Sequence, residues 1–141
     1  MSSSQGKAQG KGKIIKFAGI GIAAIVVAVG IYFFSIFQHY KDDVAAIQIQ
    51  NVDLAAIADG TYFGDCDVRI VSAKVKVTVK NHNITEIELL EHNNGRGGAA
   101  EVVPDEVIRA QRVDVDAVSG ATTSSKVILK AIADALSGSP R

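Results

Sequence analysis

Apolar positions along this chain follow three different patterns. The first is a block: residues 17–37, "FAGIGIAAIVVAVGIYFFSIF", run for 21 positions without a charge. That length suffices for a helix to cross a hydrocarbon core of ~30 Å. Lipid offers no hydrogen bonds, so such a segment must satisfy its own backbone as a helix. The second pattern is alternation. In "KVKVTVK", residues 74–80, Val75, Val77 and Val79 fall on one face and Lys74, Lys76, Thr78 and Lys80 on the other. This predicts a strand with one wet face. "NHN" follows, a turn composition that tolerates positive φ. "ITEIELLEH" then gives a second strand, with Thr85, Ile87 and Leu89 opposite Glu86 and Glu88. The two form a predicted antiparallel hairpin in which lysines meet glutamates across the strands. "GTYFGDCDVRIV" reads as a further strand, while "AIQIQNV" is ambiguous between strand and helix.

The third pattern is helical spacing. "AAEVVPDEVIRAQ" predicts a short helix with Pro104 near its first turn, where Asp105 and Glu106 suit the dipole. In "TSSKVILKAIADALSG", Ile128, Leu129, Ile132 and Leu136 recur at helical spacing and Gly138 stands as the stop. Strands followed by helices in one small unit predict an α+β domain. The expected organisation is a disordered cytoplasmic tail (1–16), one N-terminal transmembrane helix (17–37) and a juxtamembrane connection (38–58). A small domain with an antiparallel sheet and two or so helices (59–137) follows, with a flexible C-terminus (138–141). No internal repeat is visible.

Charge placement orients this scheme. The 141 residues carry 15 basic and 15 acidic groups, yet Lys7, Lys11, Lys13 and Lys16 precede the apolar block and every acidic residue follows it. The positive-inside bias puts the N-terminus in the cytoplasm and the domain on the extracytoplasmic side. Tyr32 and Tyr40 fall at or beyond one end of the block, where amphipathic rings prefer to sit. A cleaved signal peptide is the rival reading, but "FFSIFQHYK" is bulky, offers no small-x-small site, and has no cysteine nearby for a lipid. After Phe37 there are 11 basic and 15 acidic groups, a net of −4. That gives no reason to expect nucleic acid as a partner.

Candidate chemistry narrows quickly. Cys66, the only cysteine, lacks a CxxC partner and reads as a small half-buried strand residue. His82 and His92 lie at turn-like positions with no metal-ligand spacing. No Ser-His-Asp set is legible, and "GRGG" lacks the GxGxxG of a dinucleotide fingerprint. What remains is "DAVSGAT", residues 116–122, opening the last helix. The pattern Asp-x-x-Ser/Thr-Gly-Ala-Thr fixes five positions, and a chance match is on the order of one in a few thousand. Gly120 permits φ > 0, Ala121 adds no bulk, and a threonine here protrudes beside the free N–H groups of a helix start. Thr122 or Thr123 as a plain N-cap, Asp116 as a turn-former and Ser119 as the closure of that turn are the ordinary alternatives.

On "DGTYFG", "HNNGRGGAAEVVP", "AQRVDVDAVSGATTSS" and the closing amphipathic helix, the chain resembles the FMN-binding domain family over residues 59–136. Members include flavin-carrying peripheral subunits of the sodium-pumping NADH:quinone oxidoreductase and the Rnf complex; this chain looks like a minimal membrane-anchored version. The resemblance implies that a dedicated FMN transferase esterifies Thr122 to the FMN phosphate, reading a motif to which Asp116, Ser119, Gly120 and Ala121 belong. Thr123 is the competing acceptor. Tyr62 or Phe63, consecutive on a strand and pointing to opposite faces, supplies a flavin neighbour, and His92 with the glycine loop after it lines the site. The implied protein is an electron carrier, not a complete enzyme, between a membrane-bound donor and an extracytoplasmic acceptor. A non-redox sensory or adaptor module that binds FMN without a covalent bond is the alternative, and a structural subunit with a vestigial motif is a third reading. No metal is called for.

Overall fold

The computed structural model describes residues 11–138. Residues 1–10 of the expected tail and 139–141 of the expected C-terminus lie outside the described residues. The chain divides into two units, residues 1–39 and 40–141.

α1, Lys11–Ala46, is one continuous helix. It begins before the expected 17–37 and continues nine residues past it, taking in residues read from sequence as tail and as connection. From Ile20 to Phe37 its large apolar side chains are mostly exposed, Ile20 at 66% and Phe33 at 65%. The helix is long and apolar enough to cross a membrane. Exposed apolar surface of this extent on a helix is explained when its solvent is hydrocarbon.

The second unit is an α+β domain, as the patterning predicts. β1 (Gly60–Asp67), β2 (Ser72–Lys80) and β3 (Asn83–Asn93) form a three-stranded antiparallel sheet in the order β1-β2-β3. α2 (Val103–Ala110) follows a 3-10 turn and packs on β3, and α3 (Thr122–Ser137) covers the inner face of β1 and β2. The core is the alternating inner face of the sheet, with Tyr62, Val75, Val77 and Val79, closed by Val127, Ile128 and Ile132 of α3. On the outer face Lys74 pairs with Glu91 at 2.6 Å and Lys76 with Glu88, the expected lysine–glutamate ladder.

Two expectations change. "AIQIQNV" forms no strand pairing among the described residues; residues 47–53 are irregular, with Ile47, Ile49 and Val52 partly buried against the core. Thr85 does not share the inner face with Ile87 and Leu89. The register skips it, from Val79↔Ile84 to Thr78↔Glu86, so Ile84 takes the buried position and Thr85 is the extra residue of a β-bulge. Its hydroxyl, freed from the core, donates to the Thr78 carbonyl at 3.1 Å. A second slip, between Lys74 and Val75, puts Leu90 outside.

Three local devices fix this frame. Asn81 (φ 50°) and His82 (φ 60°) make a two-residue turn with both positions left-handed, the geometry that matches strand twist. Gly64 lets the strand touch the helix: a Cβ there would lie 2.1 Å from the Ala131 carbonyl and 2.6 Å from the Ala135 nitrogen. Gln111 ends α2 in the left-handed region and clamps β3. Its Oε1 accepts the Ile84 N–H at 2.9 Å and its Nε2 donates to the Ile84 carbonyl at 2.8 Å, covering polar groups on a sheet edge.

Candidate functional site

The start of α3 is built by a knot of small residues. The Ala121 N–H donates to the Val118 carbonyl at 3.0 Å, closing a turn whose third residue, Gly120, has φ 81°. Glycine is favoured at that position because a side chain there meets the left-handed penalty. Ser125 ties the turn to the helix: its Oγ accepts from the Val118 N–H at 3.0 Å and donates to the Ala121 carbonyl at 2.9 Å. α3 then opens at Thr122 with no side-chain cap. The Thr122, Thr123 and Ser124 N–H groups therefore have no partner on the preceding turn.

A second turn faces the first. The Gly97 N–H donates to the Asn94 carbonyl at 2.8 Å, and Gly95 adopts φ 55°. Gly97 sits so close to α3 that a Cβ on it would lie 1.9 Å from Ser124 Oγ. A third turn, after β1, is held by the Val68 N–H on the Val71 carbonyl at 2.9 Å and by Asp67 Oδ1, which accepts the Arg69 N–H at 2.8 Å. It presents Ile70, 47% exposed.

Together the three turns enclose a cleft of about 450 Å³, lined by residues 70–71, 94–97 and 120–124. That volume lies in the range of small-molecule and cofactor sites. One wall is apolar, Ile70 and Val71, and Arg96 is the one charged residue of the lining.

Residues 72–137 match the model of the FMN-binding domain family. By that match, β2 through α3 are similar to an FMN-binding domain. Two of the three turns of the cleft fall within it, and it is found with one N-terminal apolar helix able to serve as a minimal membrane anchor. No curated protein matches the chain.

Of the residues expected from sequence, the fold brings Gly120, Ala121, Thr122 and Thr123 to the cleft, with Thr122 exposed, and of the expected Gly95–Gly98 loop it brings all but Gly98. Ser119 and Asp116 are exposed but outside the lining. The expectation that Tyr62 meets the flavin does not match its place. Its ring is 2% exposed in the core, and its hydroxyl donates to the Ala58 carbonyl at 2.7 Å. Phe63, on the opposite face of β1, is exposed and pairs in register with Lys76, away from the cleft. The apolar wall comes instead from Ile70 and Val71, which sequence reasoning passed over because they lie in a turn with no periodicity.

His92 does not line the cleft. Its side chain is 3% exposed, and Nδ1 lies 3.2 Å from Glu101 Oε1 and 3.3 Å from Asn94 Nδ2. Its Nε2 is buried without a partner among the described residues. His92 and Glu101 thus bracket Asn94, which does line the cleft. Cys66 is half-buried on β1, and burial, followed by the nearby Asp134, pushes its thiol above the usual range. This matches the ordinary reading and leaves it little thiolate character. Among the described residues no group of three or more His, Cys, Asp or Glu is placed to hold a metal.

The residues present fit FMN: an apolar wall, a cation, free N–H groups and hydroxyls converge in a cleft of cofactor size. Besides Ile70 and Val71, the sequence did not single out Asn94 and Ser124 of the lining, and it named Arg96 only as part of the glycine loop. The sole signal for Arg96 was a lone cation inside a glycine run.

Proposed function

We propose that this chain is a membrane-anchored electron-transfer flavoprotein that carries FMN outside the cytoplasm as a phosphoester of Thr122. The observation that carries the reading is the position of Thr122. It is exposed, it starts a helix that no side chain caps, and it lines the cleft of a segment that matches the FMN-binding domain family. A helix start whose donors are left open suits an anionic ester, since free N–H groups and the dipole both favour negative charge.

Attachment is a phosphoryl-type substitution. Thr122 Oγ bonds to the phosphorus of an FMN anhydride held by a transferase, the bond to the leaving group breaks, and the hydroxyl proton departs with that group. FMN when bound supplies one- and two-electron chemistry. The chain's own residues hold it: Ile70 and Val71 offer the ring an apolar wall, and the 94–97 turn sets the cleft's width. α1 keeps the carrier beside a membrane-bound donor, and the lysines before the apolar block orient the domain outward. The acceptor is then an extracytoplasmic carrier or oxidant.

The test is co-expression with an active FMN transferase and export to the outer side, followed by peptide mass mapping. The expected result is an increase of one FMN less one water on Thr122, absent from Thr122→Ala. No adduct despite an active transferase overturns the covalent reading and leaves a module that binds FMN reversibly.

A further inference from the structure

Resting on the reading that the cleft takes FMN, we infer that Arg96 and Ser124 form its phosphate subsite and make it select phosphorylated flavins over riboflavin. Four observations converge on this. Arg96 is the only charged residue of the lining, it has no ion pair among the described residues, and no carboxylate shares the lining with it. Ser124 is 2% exposed, yet it lines the cleft and its hydroxyl makes no hydrogen bond among the described residues. A serine in a helix ordinarily returns its hydroxyl to the carbonyl four residues back, as Ser125 does to Ala121 and Ser137 to Ala133. Ser124 keeps its donor for the cleft. Beside it the N–H groups of the first turn of α3 are open, and Thr122 stands among them.

Chemistry then identifies the ligand group. Open N–H donors at a helix start, a free hydroxyl and an unpaired guanidinium are all donors, and an apolar wall faces them. The complementary ligand carries a compact, acceptor-only anion at one end and a flat apolar body at the other. A phosphate on a flavin side chain meets both requirements, whereas riboflavin would leave the donors unanswered. Gly97 is part of the same construction. Its missing side chain admits Ser124 Oγ to the floor of the turn that carries Arg96, so the two donors are set by one contact.

The test uses the full chain in detergent micelles, made without a transferase so that Thr122 is unmodified. Its affinity for FMN and for riboflavin is read by flavin fluorescence, with inorganic phosphate as competitor. Wild type is expected to bind FMN about tenfold or more tighter than riboflavin, the scale of a lost hydrogen bond to a charged group. Arg96→Ala should bring FMN down to the riboflavin value and leave riboflavin unchanged, with Arg96→Lys recovering part of the difference. Ser124→Ala should cost FMN alone a smaller factor, about threefold to tenfold. Phosphate should compete with FMN and leave riboflavin binding unaffected. Equal binding of the two flavins by wild type overturns the inference, as does binding of neither. So does an Arg96→Gln or Arg96→Ala variant, folded by circular dichroism, that loses both flavins equally. None of these results bears on whether a transferase esterifies Thr122, so this inference and the covalent reading fail separately.

Discussion

The hairpin turn of this domain and two turns of its cleft use the same residue types and reach opposite ends. The β2–β3 turn, "NHN", and the pair of turns around the cleft, "NGRG" and "SGAT", are all short, polar and left-handed at one or two positions. In the first, polar groups are answered locally. Asp59 accepts the His82 N–H at 3.4 Å, His82 Nδ1 donates to the Ile57 carbonyl at 3.0 Å, and the Asn83 amide donates to the Asn81 carbonyl at 2.7 Å. In the second, the Thr122, Thr123 and Ser124 N–H groups, the Ser124 hydroxyl and the Arg96 guanidinium remain open. A turn that closes a hairpin spends its hydrogen bonds on itself. A turn that builds a site spends one or two on its own shape and leaves the others pointing at one volume.

That contrast can be broken in order of expected effect. Removal of the proposed acceptor is the largest: Thr122→Ala is expected to lose all covalent flavin and Thr123→Ala to keep it, read by intact mass after loading. An adduct that moves to Thr123 would mean that the turn, not the residue, determines attachment. Next comes Gly64→Ala, where the new methyl meets backbone atoms of α3 and neither element can yield without separating. A loss of about 3 kcal/mol is expected in chemical denaturation, at the upper end of overpacking.

Gly97→Ala should cost about 1–3 kcal/mol, because Ser124 can rotate away although it leaves its place in the cleft. Here flavin binding should fall more than stability does, which marks the contact as belonging to the site. Ser125→Ala removes two hydrogen bonds of the knot and strands the Val118 N–H, for about 1–2 kcal/mol by thermal unfolding. Smallest is the hairpin side. The Asn81 amide, followed by that of His82, holds the Asp59 carboxyl below the usual carboxylate range. Its folded value is depressed, so its contribution is present above the ordinary carboxylate value and lost as pH falls through the lowered one. Asp59→Asn should flatten that part of the acid unfolding curve and leave flavin binding untouched. Lys74 and Lys76, raised by hydrogen bonds to Glu91 and Glu88, act at the other extreme. Their contribution is present below the ordinary lysine value and lost as pH rises through the raised ones.

Legibility followed the range of the interaction. The strand β2 is plain because three alternating valines are a local pattern, and α3 because its apolar residues repeat at helical spacing. Thr85 was misplaced because a bulge adds one residue without a mark in the composition, and alternation carried through it assigns the wrong face. Tyr62 was equivocal because two consecutive aromatics reveal opposite faces without saying which face is covered. α3, lying on the Tyr62 side, decided it.

By itself the sequence determined the apolar helix, the hairpin with its charge ladder, the closing helix and the glycine turn before Thr122. Each depends on neighbours within a few positions, where periodicity and backbone sterics act. Only the tertiary structure decided that "NGRG", some twenty-five residues upstream, stands against Ser124, that Gly64 admits α3, and that Ile70 and Val71 wall the cleft. Those contacts join segments far apart in the chain. They arise from burying one face of a sheet under one helix, a condition no short window of residues records.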